Sequence, residues 1–319
     1  MNSSVDIHIF ETVAAFSAVV LLVILLKRLQ IVKEENGPLF ARLLTQAVLP
    51  AVIFTQLAAH PIHSRQFLLV VAVFIAGIAS MLLSYLIGRL MRLDRPKIGA
   101  LMLTSSFGSS ALLGYPLITY AFPHNPEAMT DAVLLSELGV GLPIFILAPL
   151  IGMIFGEESD GREPRTRIIF DYFKSPIFIA VVLGLAASQI PAETLGFILT
   201  PFSEALTMIG GALTLLACLT LGLQLKLTSL KGIWPLLIVS ALIQMAFQPW
   251  LTQVQAGLYH LGAEQRQVLI LISSMPSAVL GPVFAARYRC AADIASALVM
   301  FHIIISMAAV PAVFALLNG

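Results

Sequence analysis

Charge is what this chain has least of. Only 11% of its 319 residues are Asp, Glu, Lys or Arg, while 59% are hydrophobic and the mean hydropathy is +0.95. Soluble domains carry about 25% charged residues, so this composition excludes an ordinary soluble fold and places the chain in a bilayer. Cysteine occurs twice, as Cys218 in an apolar run and Cys290 at a helix end; two such residues exclude a disulfide framework. There is no basic run of the kind that grips phosphates, which excludes a nucleic-acid partner. The N-terminus, Met-Asn-Ser-Ser-Val-Asp, has no positive stretch before its first apolar segment, so that segment is expected to be a permanent span and not a cleaved signal. His-Glu-x-x-His, a phosphate loop, Gly-x-Ser-x-Gly and metal-ligand Cys/His spacings are all missing. No enzyme activity, catalytic residue, cofactor or resident metal is therefore expected.

What is present is a series of apolar runs separated by short polar loops. They predict an all-α membrane protein of ten spans, at about 7–26, 38–59, 67–91, 98–122, 130–155, 175–191, 198–224, 232–257, 265–286 and 293–317. Basic residues cluster after the odd-numbered spans: Lys27, Arg28 and Lys33; Arg89, Arg92, Arg95 and Lys97; Arg162, Arg165, Arg167 and Lys174; Lys226 and Lys231; Arg287 and Arg289. The opposite side holds Arg65 and Arg266. Cytoplasmic loops carry the excess of Lys and Arg, so these loops are expected inside and both termini outside. The polar stretch 156–174 is the one sizeable loop and reads as a cytoplasmic linker between a first five-helix repeat, 1–155, and a second, 175–319. Because five is odd, the second repeat is inverted relative to the first.

A phrase recurs in the two halves. Leu103-Thr-Ser-Ser-Phe-Gly-Ser-Ser-Ala111 matches Leu271-Ile-Ser-Ser-Met-Pro-Ser-Ala-Val279, in the fourth span of each half. Gly108 weakens a helix, and Pro276 removes a backbone donor and displaces the carbonyl four residues earlier. Freed backbone groups survive in a membrane only beside protein or a polar cavity. Interrupted apolar segments at matching places in two halves point to a transporter binding site. The expected substrate-binding set is Ser105, Ser106, Gly108, Ser109, Ser110, Ser273, Ser274, Pro276 and Ser277, with helices four and nine crossing near the midplane and Ser109 and Ser277 facing one ligand group. No Lys or Arg lies near the middle of a span, so an anion there would be held by hydroxyls and helix dipoles. Close packing of small residues is the competing explanation for any single serine.

Glu137 is the one carboxylate these boundaries place well inside a span, and an intramembrane acid is a candidate for ion coupling. Glu11, Asp131, Glu204 and Asp293 fall at span beginnings, where a carboxylate suits the helix dipole. His302 lies mid-span and reads as a hydrogen-bonded packing residue, with a proton carrier as the alternative. Gln46, Gln56, Gln244 and Gln248 either line a cavity or bridge helices.

Met275-Pro-Ser-Ala-Val-Leu-Gly-Pro-Val-Phe-Ala-Ala-Arg-Tyr288, with Asp293-Ile-Ala-Ser-Ala-Leu-Val and Val310-Pro-Ala-Val-Phe, resembles the end of the auxin efflux carrier family. Phe107-Gly-Ser-Ser-Ala-Leu-Leu-Gly-Tyr-Pro-Leu117, Leu49-Pro-Ala-Val-Ile-Phe54 and Leu219-Thr-Leu-Gly-Leu-Gln-Leu225 are similar to its motifs in spans four, two and seven. The resemblance implies a secondary transporter of small organic acids such as malate or malonate, working by an elevator-like motion, with crossings at Gly108-Ser109 and Pro276-Ser277. The family often has Asn where this chain has Ser109, Pro where it has Gly108, and Pro in span seven where it has Thr214. The expected partners are a small organic acid, a proton or sodium as coupling ion, the lipid bilayer and, as an assembly this reading admits, a second copy in a homodimer. A sodium/proton antiporter of related fold is the alternative; a passive channel or an intramembrane enzyme stands for a different class.

Overall fold

The computed structural model describes residues 2–59, 64–156, 173–190, 202–224 and 232–318. Every named element among them is helical: α1 (Asn2–Arg28), α2 (Gly37–Leu43), α3 (Leu49–Ala59), α4 (Ser64–Leu90), α5 (Arg95–Ser105), α6 (Tyr115–Ala121), α7 (Pro126–Leu134), α8 (Leu142–Phe155), α9 (Pro176–Ala187), α10 (Leu213–Gln224), α11 (Trp234–Leu242), α12 (Gln248–Leu258), α13 (Ala263–Ser273), α14 (Leu280–Arg287) and α15 (Ala292–Asn318). A helical stretch over 202–210 runs into α10 through a turn at Gly211. Helix starts follow local chemistry. The Asn125 side chain accepts from the Glu127 and Ala128 amides at the head of α7, and Ser175 accepts from Phe178 at the head of α9; each is followed by Pro at the first helical position.

Among the described residues, seven helical segments are long and apolar enough to cross a membrane: Phe10–Arg28, Glu34–Ala59, Gln66–Leu90, Glu127–Phe155, Phe202–Thr220, Trp234–Leu258 and Ala292–Leu317. Of the other three expected spans, 98–122 is broken into α5 and α6, 265–286 is broken into α13 and α14, and 175–191 appears as the shorter α9. The linker residues 157–172 and the first residues of the expected span 198–224 lie outside the described residues. Leu82, Leu86, Leu90, Val182, Leu183, Ile238 and Leu242 are exposed, which is the disposition of helices facing hydrocarbon.

Three of the spanning segments and the broken segment 98–122 each contain a short π-helical stretch: Leu44–Val48, Leu135–Gly141 and Ile243–Phe247 in the former, Ser110–Gly114 in the latter. The closing bonds are Leu49 N–H to Leu44, Tyr115 to Ser110, Leu142 to Glu137 and Gln248 to Ile243, each to a carbonyl five residues back. The next residue in every case is proline: Pro50, Pro116, Pro143 and Pro249. Proline offers no N–H and its ring crowds the carbonyl four residues earlier, and a widened turn accommodates both defects. The distribution matters because π turns gather at functional sites.

The helices pack as two groups. α3 lies along α9, while α10 packs on α2 and α1. The second group is built on α4, α5, α8, α11, α12, α14 and α15, with α13 joining α7 and α12; α1 touches it through α6 and α15. Tight contacts need small residues. A Cβ at Gly152 of α8 would fall inside the ring of Tyr288, so only glycine admits that approach.

Candidate functional site

The two interrupted segments meet. Gly108 pairs with Ser277 in an antiparallel bridge, the Ser109 amide donates to the Pro276 carbonyl at 2.6 Å, and the Ala278 amide donates to the Phe107 carbonyl at 2.7 Å. Each broken helix thereby satisfies the other's freed backbone groups, which is what unwound chain inside a membrane requires. The repeated phrase marks the place where this happens.

Beside the crossing lies a cavity of about 450 Å3. One wall comes from the second group of helices: Gly108, Ser109, Ser110 and Leu112, then Ser136, Glu137 and Val140, then Ala278, Val279 and Leu280. The facing wall comes from the first group: Thr45, Gln46 and Leu49, the head of α9 at Ser175–Ile177, and Thr220 of α10. Three of the four π turns line it, contributing Gln46, Ser110 and the Ser136–Glu137 pair. The residues after Ser109 and after Val279 begin the two outgoing half-helices. Both therefore present first-turn amides, with their partial positive charge, toward one space.

Within this wall the polar groups are buried and largely partnered. Tyr115 Oη donates to Glu137 Oε1 at 2.6 Å and Ser136 Oγ to the same oxygen at 3.3 Å, while Ser110 and Ser136 hydroxyls lie 2.8 Å apart. Both donors meet Oε1, so Oε2 is the oxygen left for a proton. Glu137 is the one charged residue among the described residues lining the cavity. The arrangement can offer hydroxyl and amide donors to a carboxylate and hold an acid beside it.

Not every serine of the repeated phrase reaches this space. Ser106 Oγ donates to Met102 O, Ser274 Oγ to Leu271 O, and Ser273 Oγ to Ile270 O and shares a bond with Thr252. Those hydroxyls are taken up by last-turn carbonyls of their own helices, and the Ile270 carbonyl accepts the Ser274 amide as well. Ser105 and Ser277 are fully buried away from the cavity lining, and Pro276 is also absent from it. For Ser277 the reason is the extended pairing. In a bridge, Gly108 and Ser277 share one side and their neighbours Ser109 and Pro276 share the other, so Ser109 and Ser277 point away from each other.

Other candidates find structural partners. Asp131, expected as a helix-dipole residue, is buried in the second turn of α7 and accepts from Gln66 Nε2 at 2.6 Å. His302 Nε2 lies 2.8 Å from Ser240 Oγ in the buried contact of α11 with α15. Gln46 lines the cavity, the Gln56 carbonyl accepts from Thr130, and Gln244 donates to the Met275 carbonyl at 3.2 Å. Tyr115, Ser136 and Thr220 are site residues that sequence reasoning did not single out. The Tyr115-Pro116 step beside the repeated phrase was the available signal for the first.

Comparison with known proteins agrees with this architecture. The family model described as membrane transport protein matches residues 8–314. An uncharacterized transporter of Methanocaldococcus jannaschii is 27% identical over 265 residues, covering 81% of this chain and 82% of that one. An uncharacterized transporter of Methanothermobacter thermautotrophicus is 28% identical over 309 residues, covering 94% and 96%. An apolar helical chain with two broken helices paired beside a cavity that holds a few buried polar side chains, matched over nearly its whole length, belongs to the membrane transport protein family, that of the auxin efflux carriers, and is an integral membrane protein.

Proposed function

We propose that this protein is a secondary active transporter of small organic anions, with the substrate carboxylate seated in the cavity beside the crossing. The observation that carries this reading is the convergence of two half-helix beginnings, at Ser109–Ser110 and Val279–Leu280, on one cavity with no Lys or Arg among the described residues of its walls. Dipole ends and hydroxyls suit a singly or doubly charged acid that has to be released again, whereas a buried ion pair would hold it. Ser109 and Ser110 are the direct ligands, and Gly108 keeps the backbone close.

Glu137 gives the site its coupling. An ionised Glu137 would repel an incoming carboxylate in a low-dielectric cavity; with a proton on Oε2 it becomes a further donor. Substrate and proton then load together. The cavity walls reach Ala41, Ser175 and Val283, at helix ends next to the loops rich in Lys and Arg, so this is the inward-open state of a chain with ten spans in two inverted halves. Its place between the two helix groups suits an elevator motion in which the crossing group slides past α2, α3, α9 and α10.

The test is a thermal-shift screen of the purified protein against mono- and dicarboxylates at two pH values, followed by uptake in proteoliposomes. A specific acid stabilises by mass action, and its uptake should rise when a pH gradient is imposed. If no carboxylate stabilises the protein at either pH, the substrate class is wrong.

A further inference from the structure

The side of the crossing away from the large cavity is rich in oxygen atoms with no donor. Gln244 Oε1, Gln248 Oε1, Ser105 Oγ and Ser277 Oγ are all buried and without a hydrogen-bond partner in the protein. Gln244 and Gln248 are 0% and 1% exposed. They stand one π turn apart on the α11–α12 segment, so both reach the crossing. Gln244 is fixed there by its Nε2 bond to Met275 O, and that bond identifies Oε1 as the idle acceptor. The same amide lies against Gly108, where a Cβ would come within 3.3 Å of Nε2; Ser277 shares this side of the bridge with Gly108.

Gln248 also borders a separate void of about 10 Å3, together with Gly77, Ser106, Phe107 and Gly139. That volume corresponds to one water-sized occupant. A Cβ at Gly77 would approach the Ser106 carbonyl oxygen to 3.2 Å, so glycine keeps the space open. Both incoming half-helices, α5 and α13, end at this side and direct the negative ends of their dipoles toward it. A buried acceptor without a donor is costly, and each calls for an occupant.

We infer that this acceptor-rich side of the crossing binds one small monovalent cation, of the sodium class, held by Gln248 Oε1 and the Ser106 carbonyl with Gln244 and Ser277 beside them. The absence of any carboxylate from this set disfavours a divalent ion, which draws on charged oxygens. Unwound carbonyls and half-helix C-terminal ends are suited to sodium for the same reason that the N-terminal ends are suited to an anion. The inference rests on the transporter reading only for its purpose: the cation would offset the charge of the acid on the other side of the same bridge. The void is lined wholly by the second helix group, so the two charges would travel together.

The experiment measures melting temperature of the full-length protein in detergent, titrating sodium chloride against choline chloride at constant ionic strength, with and without a carboxylate. Sodium should stabilise saturably where choline does not. Gln248→Met should raise the sodium midpoint at least tenfold, and Ser277→Ala, a smaller change that protects against a folding defect, should raise it as well. Ser109→Ala should keep the sodium shift while losing the carboxylate shift. Equal behaviour in sodium and choline would mean that the void holds a water only and overturns the inference, as would an unchanged sodium midpoint in both variants. Carboxylate stabilisation without any sodium shift removes the cation and leaves the transporter reading intact. A sodium shift with no carboxylate shift retains the cation and removes the substrate class.

Discussion

Tyr115 Oη reaches Glu137 Oε1 across 2.6 Å and so ties the helix that leaves the crossing to the π turn that faces it. The bond fixes one carboxylate oxygen. Glu137→Gln keeps the shape and removes the titratable group. Its uptake should no longer respond to an imposed pH gradient, while binding at low pH persists. An unchanged gradient response in reconstituted vesicles would show that the coupling proton sits elsewhere. Tyr115→Phe deletes the donor alone and should lower stability by about 1.5–3 kcal/mol, the range for bonds to a charged group, read as a fall in melting temperature at neutral pH.

Ser109 and Ser277 make a matched pair for the second test, because they sit at equivalent places in the repeated phrase and on opposite sides of the bridge. Ser109→Ala should weaken carboxylate binding by roughly tenfold or more, given about 1.5–3 kcal/mol per hydroxyl bond to an anion and about 1.4 kcal/mol per decade. Ser277→Ala should leave carboxylate affinity in sodium-free buffer within about threefold. Equal losses in calorimetric titrations would restore the idea that both hydroxyls meet one ligand group.

Orientation is testable without knowing the substrate. A cysteine at Asp94, in the loop between α4 and α5, should be shielded from impermeant thiol reagents in intact cells; one at His124, between α6 and α7, should react. The two positions are separated by α5, the crossing and α6, so the reverse labelling would invert the whole topology and with it the inward-open assignment of the cavity.

Packing gives a fourth expectation. Gly152→Ala puts a methyl where the Tyr288 ring lies, at the contact of α8 with the end of α14. Overpacking of this kind costs about 1–3 kcal/mol, so the variant should melt several degrees lower. Gly257→Ala, where a Cβ meets nothing within 4 Å, is the control and should not.

Much of this architecture is written plainly in the residues. Hydropathy locates the helical segments because hydrocarbon demands apolar runs of a given length, and the repeated serine phrase locates the crossing because only unwound chain needs such residues there. The division of labour among the serines was not legible. Hydroxyl-rich sequence says that polar partners are wanted, but Ser106, Ser273 and Ser274 spend theirs on their own helices, and the two-residue alternation of an extended pair sends Ser109 and Ser277 apart. Asp131 shows the same limit: its helix position suggested a dipole partner, and only the fold brings Gln66 to it. The π turns were legible in principle, since each precedes a proline in mid-span, but a proline alone does not say whether a helix kinks, breaks or widens.

Each of those widened turns is equivalent to one residue inserted into an α-helix, and each carries a wall or crossing residue: Gln46, Ser110, Glu137 and Gln244. An insertion turns everything beyond it by about 100°. Related chains can therefore differ by a single residue inside a spanning segment at these four places, gaining or losing a cavity-facing side chain in one step without touching a loop. Alignments that forbid gaps within membrane helices would conceal that route, and would place the residues after each proline one position out of register.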